Sequence, residues 1–271
     1  MLKRLIWGLA GIATFVVLWE VMVRVTGSPS LVTVQAIFGR LFFLLQQPFF
    51  RSHIYQSLHT VLVGCAIASA VGILTGIVLY DYKPLQYAFA PVLSMMRGLS
   101  ALTLFPLLII MVGLGQTSRV LVIVWTAFPA VMLSTMKALE IDESIVEASK
   151  SCGCTDFQTM IYMRIPLGLP GIFTGIKISF SAGWMAIIAA EMLGSNSGLG
   201  FYLIHSAQAF QFASMYATMF CIGIIGGISS GLLLIIQNKL NQRYGGMTNE
   251  KSGSFNLGSA VAYGVRSVLT R

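Results

Sequence analysis

Three ionisable residues stand within or at the ends of apolar segments of this 271-residue chain: Arg97, Lys177 and Glu191. A charge held away from water calls for a partner, a water-filled cavity or a function, so each is a candidate site. Arg97 lies between two apolar stretches and precedes Gly98. Facing a pore it would favour an anion; at a helix end it would serve as an anchor, or it could pair with Glu191. Lys177 lies in a segment dense with small residues, and Glu191 ends that segment just before a Gly-rich turn, GSNSGLG. Trp184 lies between them and joins the candidates for a pathway or an interface.

No constellation for catalysis accompanies these charges. His53, His59 and His205 are far apart and form no H-E-x-x-H or His–carboxylate cluster. Cys152 and Cys154 form a C-G-C with no His or further Cys nearby to complete four ligands, so no metal site is assigned. Cys65 and Cys221 sit in apolar runs and read as packing residues. A G-x-x-x-x-G-K-[ST] phosphate loop is missing, so the chain is expected to hold no nucleotide and no cofactor, and not to be an enzyme.

The elements that position these residues are membrane helices. Hydrophobic residues make up 56% of the chain and charged residues 10%, against about 25% charged in soluble domains. The net charge of +8 comes from bases scattered near apolar ends, a pattern of membrane topology and not of nucleic-acid binding. Lys3 and Arg4 precede an apolar run with no A-x-A-like cleavage site, so this run reads as a retained first helix. A span takes about 20 mostly apolar residues. Six are expected, at roughly 5–25, 56–80, 85–113, 119–137, 167–190 and 215–237. With the N-terminus inside, nine Lys and Arg fall on the inner side and four (Arg24, Arg40, Arg51, Arg119) on the outer side, so N-in/C-in is favoured. The expected organisation is an all-α integral membrane domain over 1–245 and a cytoplasmic tail over 246–271 of linker composition.

Small residues recur every fourth position in three spans: Gly64, Ala68, Gly72, Gly76; Gly171, Gly175, Ser179, Gly183; and Gly223, Gly227, Gly231. Such stripes let helices approach closely, either within one subunit or between subunits. The stretch GSNSGLGFYLIHSAQAFQF is too polar to span and too apolar to be a free loop. It is expected to lie as a short helix on the outer surface of the bundle.

Between the fourth and fifth spans, about 140–166, lies a polar insert that predicts two short helices. Asp142, Glu143 and Glu147 suit the first helix's N-terminal half and Lys150 its C-terminal end. Gly153 can end that helix in the left-handed conformation. Thr155 and Gln158 make a capping box for the second helix, Pro166 limits its continuation, and Pro170 opens the fifth span. Phe157, Ile161 and Ile165 form an apolar stripe suited to a groove on a partner protein. A lipid-surface helix pair is the competing reading, and sparse basic residues count against it.

The insert resembles the cytoplasmic loop of permease subunits of ATP-binding-cassette (ABC) importers: E-A-A, three residues, Gly, nine residues, I-x-L-P. Here these are Glu147-Ala148-Ser149, Gly153 and Met163-Arg164-Ile165-Pro166. The stretch from Trp184 through Ala190-Glu191-Met192 to Gly198 and Gly200 resembles the nitrate/sulfonate/taurine-type subfamily, as does PLLIIMVGLGQTSRV. Where that subfamily has L-R-P-I-P, this chain has Met96-Arg97-Gly98-Leu99-Ser100. The resemblance implies the type I ABC importer permease fold in a bacterial inner membrane. It implies that Glu147, Ala148, Ser149, Gly153, Phe157, Ile161, Ile165 and Pro166 belong to a coupling helix pair that docks on an ATPase. It further implies a second permease copy or paralogue, an extracytoplasmic binding protein, and ATP and Mg bound by the partner ATPase. Glu191 would then cap the Gly-rich turn or meet the binding protein. The implied solute is a small anion such as a sulfonate, taurine or nitrate, or a vitamin precursor. The alternative is an ion-gradient-driven secondary transporter, against which stands the lack of any acid in mid-span.

Overall fold

A computed structural model describes residues 2–244, and the expected tail over 246–271 lies outside them. The described residues form helices α1 (Leu2–Thr26), α2 (Val34–Gln46), α3 (Pro48–Asp81), α4 (Lys83–Gly98), α5 (Ala101–Val112) and α6 (Gln116–Leu139). They continue with α7 (Glu143–Ser151), α8 (Asp156–Thr159), a π turn (Met160–Arg164), α9 (Ile165–Gly194), α10 (Leu199–Gln208) and α11 (Phe212–Tyr244). Among the described residues, four helices are long and apolar enough to cross a membrane, or five with α4 and α5 taken as one broken span. Helix α1 occupies the place of the first expected span.

Helix α6 runs between α3 and α9, and small residues set its distance from both. A Cβ on Gly64 would sit 2.7 Å from Ile123, and one on Gly72 2.8 Å from Val131. On the other side, a Cβ on Gly171 would sit 2.6 Å from Ala138, and one on Gly175 2.5 Å from Ser134. Two of the three stripes therefore serve packing inside the chain, where close backbone approach supplies dispersion that lipid cannot. The third does not: Gly223, Gly227 and Gly231 of α11 face nothing within 4 Å. Gly226, outside that stripe, lets α11 close onto Trp184.

Three expectations need correction. The third span is not continuous, because α4 and α5 meet at a 99° bend. Leu99 is extended and Ser100 caps α5 by accepting from the Leu102 amide at 3.3 Å. Each half is too short to cross alone. The second span begins at Pro48 rather than near 56, preceded by the unanticipated α2. Helix α2 is tied back by Val34 N–H to Glu20 and by Arg40 to Ser214.

Pro166 does not stop the second insert helix, and Pro170 sits inside α9 instead of opening it; residues 156–194 form one helix long and apolar enough to cross a membrane. A proline ring clashes with the carbonyl four residues back. The π turn just before it widens the coil, with the Ile165 amide bonding Met160, five residues back.

Candidate functional site

Two polar regions stand at opposite ends of the α3–α6–α9 core. At the inner end, Asp142 caps α7 through the Ser144 amide at 3.3 Å. Gly153 takes φ +83°, and the Thr155–Gln158 capping box starts α8. The Ser149 hydroxyl, buried, meets the Thr159 hydroxyl at 3.0 Å and joins the two short helices. Lys150 and Asp156 bridge the hinge at 3.1 Å with both side chains largely exposed. Arg164 fastens the pair to the bundle: it donates to the Leu139 carbonyl at 3.1 Å and to the Tyr80 hydroxyl, and its guanidinium lies over the Tyr80 ring.

This anchoring leaves one side of the insert outward. Phe157 is 73% exposed and Ile161 40% exposed, while Met160 is buried. Ile165 is half-buried, because the π turn adds a residue and rotates it off the stripe. Glu147 and Ala148 are exposed, and Glu147 borders a cleft of about 470 Å³ between α7 and the bundle. The expected three-residue stripe is thus a two-residue anchor, Phe157 and Ile161.

At the outer end, Glu191 is completely buried. The Ser57 hydroxyl lies 2.7 and 2.9 Å from its two carboxylate oxygens, and the Gly200 amide donates to Oε2 at 2.9 Å. Ser57 in turn accepts from the Leu199 amide at 2.8 Å, and His53 Nδ1 accepts from the Gly198 amide at 2.9 Å. The free amides at the start of α10 are thus satisfied by side chains of α3 and α9, which a helix N-terminus requires. Arg119 donates to the Ser197 carbonyl at 3.5 Å, and its charge attracts Glu191. Gly198 has φ +107°, and a Cβ there would overlap the Glu191 carboxylate. Of the two uses open to Glu191, capping the turn is the one the geometry shows. Sequence reasoning missed Ser57 and Arg119 as its companions and counted Arg119 only among the outer-side bases.

The remaining candidates separate. Trp184 is 8% exposed, stacks on Phe180 and packs with Val61, Cys65 and Ile123, so it belongs to the core. Lys177 is half-buried, and its ammonium has no bonding partner among the described residues. Arg97 is exposed at the α4–α5 bend and does not pair with Glu191, which is held elsewhere.

Comparison with known proteins places this architecture. Residues 68–246 match the family described as binding-protein-dependent transport system inner membrane component. The chain is 26% identical over 246 residues to the putative aliphatic sulfonates transport permease protein SsuC of Bacillus subtilis (strain 168), covering 88% of each. It is 28% identical over 225 residues to the nitrate import permease protein NrtB of Synechocystis, covering 79% of this chain and 82% of that one. Its fold is similar to a chain of the inward-facing MetNI methionine ABC transporter, with a TM-score of 0.64 at 18% identity, covering 71% of this chain and 95% of that one.

Proposed function

The chain belongs to the binding-protein-dependent transport system inner membrane component family, and from that premise we propose how it works as the permease subunit of an ABC importer. It is a multi-pass protein of the inner membrane and forms the path for a small solute. Its insert, from Glu147 through Gly153 to Pro166, docks on a separate ATPase that binds ATP and Mg. Phe157 and Ile161 are the contact anchors. The observation that carries this reading is an insert tied to the bundle by Arg164 yet presenting bare apolar side chains outward, Phe157, Ile161, Tyr162 and Met163. Exposed anchors on a held helix suit a partner's groove. Motion of the ATPase would pass through Arg164, Tyr80 and Leu139 into α3, α6 and α9, so that one rigid core moves as a lever.

This chain carries no hydrolytic step of its own; it pairs with a second permease and receives solute from an extracytoplasmic binding protein. The names of the sulfonate and nitrate relatives support a small anion as the solute, with a vitamin precursor as the other class to test. The test is uptake by proteoliposomes carrying the chain with the ATPase and binding protein that co-purify with it from native membranes. Labelled nitrate, ethanesulfonate, taurine and a formylaminopyrimidine are offered. Uptake that needs enclosed Mg-ATP and survives ionophores is expected. Uptake by the chain alone on an ion gradient would establish a secondary transporter instead.

A further inference from the structure

We propose that Arg97 is the specificity-determining residue of the translocation path and that it selects a solute bearing negative charge; this rests on the permease reading above. Helix α4 is exposed along most of its length, with Leu93 its buried residue. Tyr87, Phe89, Val92 and Met95 are exposed. Gln86, Ser94 and Arg97, themselves exposed, line an open and mostly apolar cleft of about 210 Å³ with Leu93 of α4 and Leu133 and Met136 of α6. Apolar side chains turned outward and polar ones turned toward a cavity are what a lipid-facing helix beside water requires.

Arg97 and Leu133 also line a second cavity of about 400 Å³, together with Thr126 and Ser134 of α6 and Ile178 of α9. That volume lies within the range of about 300–1,000 Å³ common for small-molecule sites. Leu133 stands six residues before the end of α6, about 9 Å into the membrane from its inner side at the helical rise. The guanidinium, always charged, makes no hydrogen bond or ion pair among the described residues, and no Asp or Glu lines either cavity. A lone cation in a mostly apolar lining with a few hydroxyls and one amide, at the break of a discontinuous span, leaves its charge for a passing solute.

The test does not require the solute to be known. Leu133→Cys is introduced into the full chain with the unburied Cys152 and Cys154 changed to Ser. Native-membrane vesicles are treated with a sulfonate-bearing or a trimethylammonium-bearing methanethiosulfonate reagent. Each rate is normalised to that reagent's rate on a free thiol. A nearby cation screened by water should favour the anionic reagent by about tenfold. Arg97→Gln should abolish that preference and Arg97→Lys retain it. An unchanged ratio in R97Q overturns the inference. So does protection of both Leu133→Cys and a second reporter, Ala130→Cys, from both reagents, because no aqueous path would then reach Arg97. Co-purification of an ATPase with the unaltered chain from native membranes is scored separately. ATPase present with an unchanged ratio defeats the Arg97 inference alone; ATPase absent defeats the permease reading beneath it.

Discussion

Glu191 lies at 0% exposure with both carboxylate oxygens bonded, whereas Arg97 lines two cavities with its guanidinium unbonded among the described residues. Both are charges within apolar helices, and a bilayer penalises both. One is neutralised by the fold, through Ser57, the α10 amides and the field of Arg119. The other is left available at a helix break. The difference separates a charge that holds structure from a charge that can meet a solute. Substitutions should therefore act on different observables at the two positions.

The largest effect on stability is expected from Glu191→Ala. It strands the Gly200 amide and the Ser57 hydroxyl in the interior, at about 3 kcal/mol in total, read as a lowered unfolding midpoint in detergent. Gly198→Ala should cost about 2 kcal/mol through its positive φ and the overlap with Glu191. In the double variant with Glu191→Ala, part of that penalty should vanish, since the overlapping carboxylate is gone. Full additivity would break the account of the clamp. Ser57→Ala follows at about 1–2 kcal/mol. Arg97→Gln should move the midpoint by no more than about 0.5 kcal/mol while lowering anion uptake strongly. A large destabilisation there would place Arg97 with the structural charges. Smallest is Asp156→Ala in the insert, within about 0.3 kcal/mol because the Lys150 pair is exposed, with binding of the ATPase little changed.

Local chemistry was legible in the sequence, and distant pairing was not. The capping box at Thr155 and the turn at Gly153 depend on neighbours a few residues away, and the structure has both. The outcome at Pro166 needed the π turn before it, which five ordinary residues, MIYMR, do not announce. Ser57 meets Glu191 across 134 residues, and nothing in either segment's spacing points to the other. The small-residue stripes are instructive for the same reason. Spacing established that a narrow face existed on α3, α9 and α11, but only the packed structure shows that α6 covers the first two and leaves the third open. The break at Leu99 left only a partial trace, Arg97-Gly98 and the Ser100 cap, with no proline to mark it.

If the insert is the grip of an ATPase, the two proteins should leave native membranes together. The wild-type chain is compared with a Glu147→Arg, Gly153→Val variant, the second change being strained at φ +83°. A Phe157→Ala variant removes one exposed anchor without touching the hinge. The account predicts an ABC ATPase with the wild type, a clear loss with Phe157→Ala, and none with the double variant, all three inserted at equal levels. Equal recovery of the ATPase with all three, or its absence from the wild type under gentle detergent, would contradict it.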